Sequence, residues 1–209
     1  MNDSRTPRRS NHRSGRRRAL RLLATGLLAA SVAVLGCGES CSCEQLPEPA
    51  EVTVYIVRHA EKEAVADDAD EALRKDPPLS QAGQLRALGL TEDLPLKDLD
   101  AIYVTETKRS EDTAAAVVAI TGIEPTHYPP KDVDGLVARL RRKAGSVSLV
   151  VGHSNTIPPL LQGLGVKEAV TIDESAYGDL WVVQAKSDGT ATLERRRFGE
   201  SIERFDPGK

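Results

Sequence analysis

The sequence predicts an α/β domain, a three-layer α/β/α sandwich with a mostly parallel central sheet. Three observations predict it. Short apolar runs rich in β-branched residues recur along the chain, as in "VTVYIV" (Val52–Val57), "AIYVT" (Ala101–Thr105) and "VSLVV" (Val147–Val151). Segments with helix-start signals separate them. The runs are almost continuously apolar rather than alternating, which is how strands buried on both faces read. A length of 209 residues allows one well-cored domain and hardly two.

The elements follow in order. Val52–Val57 is the first strand. Ser80–Leu90, "SQAGQLRALGL", reads as a helix with Ser80 as its N-cap. Ala101–Thr105 is a strand. Arg109–Ile120 is a helix whose first turn carries Glu111 and Asp112, favourable at the positive end of the macrodipole. Thr126–Tyr128 is a short extended piece, and Val133–Lys143 a helix with basic residues at its end. Val147–Val151 is a strand. Ile157–Leu164 is a helix opened by Pro158 and Pro159. Leu180–Ala185 and Thr190–Arg197 form a closing hairpin around "SDG".

The first 51 residues read differently. Residues 1–21 hold eight Arg and one Asp, while the rest of the chain is acidic by ten charges. A basic arm on an acidic body suits nucleic acid, but Leu22–Gly36 follows it without a charge. That run is short for a membrane span and fits the core of a signal peptide. It ends in "VLGC", Val34–Cys37, which resembles a bacterial lipobox with Cys37 as the lipidated residue. "RRAL", Arg17–Leu20, loosely resembles a twin-arginine signal, so Sec and Tat export both stay open. The expected organisation is a signal peptide over 1–37, a Pro-containing tether over 38–51 and the domain over 52–209. The protein is expected in the bacterial cell envelope, on the periplasmic or outer-membrane side, held to the membrane by lipid on Cys37 and monomeric, with no nucleic-acid partner. Cys41 and Cys43 are too few to hold a metal and too close for an easy disulfide.

In sheets of this kind sites form beyond the carboxyl ends of the strands. Three such positions carry the chemistry. Arg58 and His59 follow the first strand, Arg109 follows the second, and His153 follows "VSLVVG". Two guanidiniums grip phosphate oxygens in bidentate fashion. A neutral imidazole between them is a nucleophile for phosphorus. Ser154, Asn155 and Thr156 read first as caps for the next helix, with Asn155 also a candidate phosphate contact. The stretch "GHSNT" does not make a G-x-S-x-G nucleophile elbow, because Thr156 replaces the last Gly and no His follows His153.

"VRHA" (Val57–Ala60), "RSEDTA" (Arg109–Ala114) and "VGH" (Val151–His153) together resemble the signature motifs of the histidine phosphatase superfamily, the phosphoglycerate mutase-like proteins. "PLSQAG" (Pro78–Gly83) is similar to that family's "LTxxG" helix start. The resemblance implies a metal-independent phosphatase without cofactors, acting on a small phosphorylated substrate or a phosphoprotein. His59 would be the nucleophile that becomes phosphohistidine. Arg58, Arg109 and His153 would hold the phosphoryl group, with His153 able to serve as a cationic donor. The general acid stays open among Asp132, first in order because many members carry theirs near Lys131–Asp134, then Glu61 and Glu106; Glu61 is also a candidate substrate contact. The alternatives are a mutase-type phosphotransferase and a non-catalytic phosphate-binding lipoprotein. The loop Ala60–Pro78 carries seven acids against Lys62, Arg74 and Lys75. It is expected to form an acidic rim that disfavours highly anionic substrates such as inositol polyphosphates.

Overall fold

A computed structural model describes residues 51–200. The expected signal segment, the lipobox at Cys37, Cys41, Cys43 and all but the end of the expected tether lie outside the described residues.

The domain is built on one six-stranded sheet. Its strands are β1 (Glu51–Arg58), β2 (Ala101–Thr105), β3 (Thr126–Tyr128), β4 (Val147–Gly152), β5 (Asp179–Lys186) and β6 (Ala191–Arg197), in the order β3-β2-β4-β1-β5-β6. β1 pairs in parallel with β4, and β2 in parallel with both β4 and β3. β5 runs antiparallel to β1 and β6 antiparallel to β5. The parallel part places the ends of β1, β2 and β4 side by side.

Helices cover both faces. On one side α2 (Gln81–Asp93) and α3 (Lys108–Thr121) bury Leu90, Ala114 and Val117 against Val57, Ile102, Val104 and Leu149. On the other, α4 (Val133–Leu140) and α5 (Ile157–Gly163) bury Leu136, Leu140, Leu160 and Leu161 against Val54, Ile56, Val150 and Trp181. Both clusters draw on β1, so the central strands are buried on both faces and their apolar runs are unbroken.

Two elements depart from expectation. A five-residue helix α1 (Glu71–Lys75) sits in the loop after β1, with Asp70 as its N-cap and no buried residue. α4 stops at Leu140 rather than running to Lys143. Its continuation is turned aside because the Arg141 guanidinium donates to the carbonyls of Lys186 (2.9 Å) and Leu164 (3.0 Å).

Candidate active site

The end of β1 delivers Arg58 and His59. Both are buried, at 6% and 4% exposure. The His59 amide donates to the Gly152 carbonyl at 3.0 Å, continuing the β1–β4 ladder one residue past the strand. The next amide, Ala60, donates to Thr113 Oγ1 (3.0 Å), and Thr113 donates to the Arg109 carbonyl (2.7 Å). Thr113 lies one helical turn beyond Arg109 and ties the β1 loop to α3. Within the chain segment "RSEDTA" it therefore has its own task, which the sequence reading did not assign.

His59 Nδ1 lies 2.8 Å from the Ala60 carbonyl. A carbonyl only accepts, so Nδ1 carries the proton and Nε2 keeps its lone pair. Burial, with His153, Arg109 and Arg58 close by, pushes the His59 pKa down from 6.5 to about 3. His153 stands with its ring 5.2 Å from that of His59. Its Nε2 is 2.8 Å from Thr105 Oγ1, whose own proton goes to Ser110 Oγ at 2.7 Å. Thr105 thus accepts from His153. Burial and the two guanidiniums push the His153 pKa to about 4. The free site disfavours the cationic form of His153 that the sequence allowed.

The two Arg residues are held by different means. Arg109, in the first turn of α3, donates through Nη1 to Asp76 Oδ1 at 3.0 Å. Arg58 Nη1 lies 3.0, 2.7 and 3.0 Å from the carbonyls of Asp173, Glu174 and Ala176. Among the described residues, the buried side-chain polar atoms without a hydrogen-bond partner are Nε of Arg58 and Nε of Arg109. Two unpartnered donors on the two guanidiniums of one site suit an anionic ligand.

Arg58, His59, Arg109, His153, Ser154 and Asn155 line one open cavity of about 380 Å³, with Lys62, Thr107, Pro130 and Glu174. Five of the residues expected from sequence thus come together. Glu61 does not join them. Its carboxylate receives the Arg86 guanidinium at 2.8 and 3.0 Å, because Arg86 is buried on α2 and needs a counter-charge. Asp132 caps α4, accepting from the Gly135 amide at 3.1 Å, and does not line the cavity. Glu106 is exposed and outside it. The lining's one carboxylate belongs to Glu174, on a loop between α5 and β5 that the sequence reading left without a role.

The acids of the expected rim are not part of the cavity lining. Of the loop Ala60–Pro78 only Lys62 lines the cavity. Glu61 pairs with Arg86, Glu71 with Lys75 and Asp76 with Arg109. The lining therefore presents three fixed cations against one carboxylate. Ser80 caps α2 through the Gly83 amide at 3.1 Å, and Ser80 N donates to the Glu61 carbonyl. A Cβ at Gly83 would collide with that carbonyl, which explains the Gly in "PLSQAG". Among the described residues no group of three His, Cys, Asp or Glu stands close enough to hold a metal ion.

Residues 54–130 match the histidine phosphatase superfamily, branch 1. No curated protein matches the chain in sequence. Among solved structures, the protein histidine phosphatase SixA complexed with tungstate is similar, at 18% identity over 72% of this chain and 99% of that one, with a TM-score of 0.56. A phosphoglycerate mutase from Bacillus anthracis matches at 16% identity over 75% and 97%, TM-score 0.53. A mycobacterial glucosyl-3-phosphoglycerate phosphatase matches at 13% over 71% and 99%, TM-score 0.51. At these identities the structures show a shared fold.

Proposed function

From a domain that matches the histidine phosphatase superfamily in sequence and shares its fold, we propose a phosphatase that works through a phosphohistidine on His59 without a metal. The observation that carries it is the state of His59. Its Nδ1 is tied to the Ala60 carbonyl, its Nε2 is unprotonated, and Arg58, Arg109 and His153 surround it in one cavity.

The chemistry follows from those positions. His59 Nε2 attacks phosphorus as the bond to the leaving group breaks, and the phosphoryl group passes to the ring. Arg58 and Arg109 hold the equatorial oxygens, where charge sits throughout the transfer. Water then attacks the phosphohistidine, releasing phosphate and restoring the imidazole. The lone carboxylate of the lining favours one substrate type. An alkoxide leaving group needs a proton, and Glu174 is the carboxylic residue of the cavity lining that can supply it. A phosphoramidate, such as a phosphohistidine side chain, loses a nitrogen that is protonated before or during cleavage, so the site suits it without a further acid. An open cavity accepts such a side chain on a folded partner. We place this activity at the envelope, on the strength of the apolar run Leu22–Gly36 and the "VLGC" that ends it.

The test is phosphate release by the whole protein from an aryl phosphate and from a phosphohistidine peptide, with EDTA present. Turnover is expected to survive EDTA and to fall by about 10³-fold or more in His59→Ala. Turnover that EDTA abolishes, or that His59→Ala retains, overturns the proposal. Phosphate binding without turnover would favour the non-catalytic alternative.

A further inference from the structure

The loop between α5 and β5 belongs to none of the sequence motifs, yet three of its carbonyls take hydrogen bonds from Arg58 in the first of them. Asp173–Tyr177, "DESAY", folds as a tight turn. Asp173 Oδ1 accepts from the Ser175 amide at 2.8 Å and from the Ser175 hydroxyl. The Ala176 amide donates back to the Asp173 carbonyl at 3.0 Å. Those hydrogen bonds hold the Asp173 carboxyl below its ordinary pKa. Its far end is tied down too. The Tyr177 carbonyl accepts from Arg197 at 2.9 Å, and the Gly178 carbonyl accepts from the Phe198 amide at 2.8 Å. Gly178 makes the bend into β5 with a φ of 82°, a left-handed conformation that suits Gly.

The turn aims three carbonyls at one atom. Those of Asp173, Glu174 and Ala176 all converge on Arg58 Nη1. The Tyr177 ring lies across the same guanidinium, 4.3 Å from its carbon, and 6.1 Å from the His59 ring. The Tyr177 hydroxyl is 3.5 Å from Nη2, at the limit of a hydrogen bond. Nη1 is thus fully committed to the turn, while Nε is buried and unpartnered. An Arg side chain has large rotamer freedom, and fixing it before the substrate arrives removes that cost from binding.

We propose that Tyr177 is a positioning residue: its ring face, with the carbonyls of the Asp173–Ala176 turn, clamps the Arg58 guanidinium so that the edge bearing Nε meets the phosphoryl oxygens. The inference rests on the phosphate-site reading above. The attraction is that of a cation for an aromatic face, so the ring matters and the hydroxyl does not.

Calorimetric titration of the whole protein with inorganic phosphate and with orthovanadate tests this apart from turnover. Tyr177→Leu is expected to weaken both by roughly 3- to 30-fold. Tyr177→Phe should restore binding to within about twofold, since a face remains. Asp173→Ala, at an exposed position, opens the turn and should weaken binding in the same direction. Thermal midpoints without ligand are expected to be unchanged in Tyr177→Phe and Asp173→Ala. Wild-type affinity in Tyr177→Leu overturns the clamp, as does equal loss in Tyr177→Phe and Tyr177→Leu. Should Tyr177→Leu fail to fold, wild-type affinity in Asp173→Ala overturns it instead. A wild-type protein that binds neither anion overturns the phosphate-site reading and the clamp with it. Binding without turnover overturns the hydrolase reading alone, and the variants still decide the clamp.

Discussion

His59 and His153 are buried imidazoles in a site with two fixed cations, and that combination sets how the protein responds to acid. Unfolded, both titrate near 6.5; folded, His59 titrates near 3 and His153 near 4. Above 6.5 neither state takes up protons and the pair contributes no pH dependence. As pH falls below 6.5 the unfolded chain binds protons that the folded site refuses, so stability falls. The loss levels off once pH drops through the folded values. Denaturant titrations at pH 7, 5.5 and 4.5 (chosen to span roughly this window) should show a steeper decline for wild type than for His59→Ala. Parallel slopes would mean that His59 is not held neutral by the fold. The same depression suits the role of nucleophile proposed for His59: Nε2 keeps its lone pair through mildly acidic solution, where an ordinary His is half protonated.

α3 shows how one element is assembled from distant parts. Its N-cap residue Thr107 makes no side-chain capping bond. Instead Asp76, from the loop after β1, accepts from the Lys108 amide at 2.8 Å through one oxygen and from Arg109 at 3.0 Å through the other. The helix start is thus capped across a gap of some thirty residues, by the carboxylate that also holds the Arg109 guanidinium. Asp76→Ala should lower stability by about 1 kcal/mol, the usual worth of a cap, and should lower kcat/KM as Arg109 loosens. Asp70→Ala offers the contrast, because Asp70 caps α1, which buries nothing; urea denaturation and kinetics should barely register it. Equal effects at the two positions would refute the role of Asp76. What the sequence could disclose divides along the same line. Strands announced themselves because their apolar runs end at fixed polar residues, and α2 because Ser80 and Gly83 are local signals. α1 is five polar residues with no periodicity to read. Arg58, His59, Arg109 and His153 were legible because each directly follows a strand or opens a helix. Tyr177, Asp76 and the pairing of Glu61 with Arg86 were not, since each depends on a partner brought near only by folding.

At the scale of the whole molecule, Arg86 joins three regions. It donates to Glu61, two residues beyond His59, and its Nη1 donates to the Phe198 carbonyl just beyond β6 at 3.3 Å. Its side chain is 9% exposed and that of Glu61 is 22%. Removing Glu61 takes a charge-assisted hydrogen-bonded partner from a buried guanidinium, at a cost of about 1.5–3 kcal/mol. Glu61→Ala should therefore unfold at much lower urea, while Glu61→Ala combined with Arg86→Met should recover part of the loss. A strictly additive double variant would show that the two side chains are not coupled. The strand order carries a further consequence, for time rather than energy. β1 leads the described domain, yet its two sheet neighbours are β4, residues 147–152, and β5, residues 179–186. Such distant pairings are slow to close. During synthesis His59 emerges early and waits: until the ribosome has released the chain past β5, Arg58 has neither its second neighbouring strand nor the turn whose carbonyls hold its guanidinium. A growing chain thus carries an unassembled site, complete only once the residues through β5 have emerged.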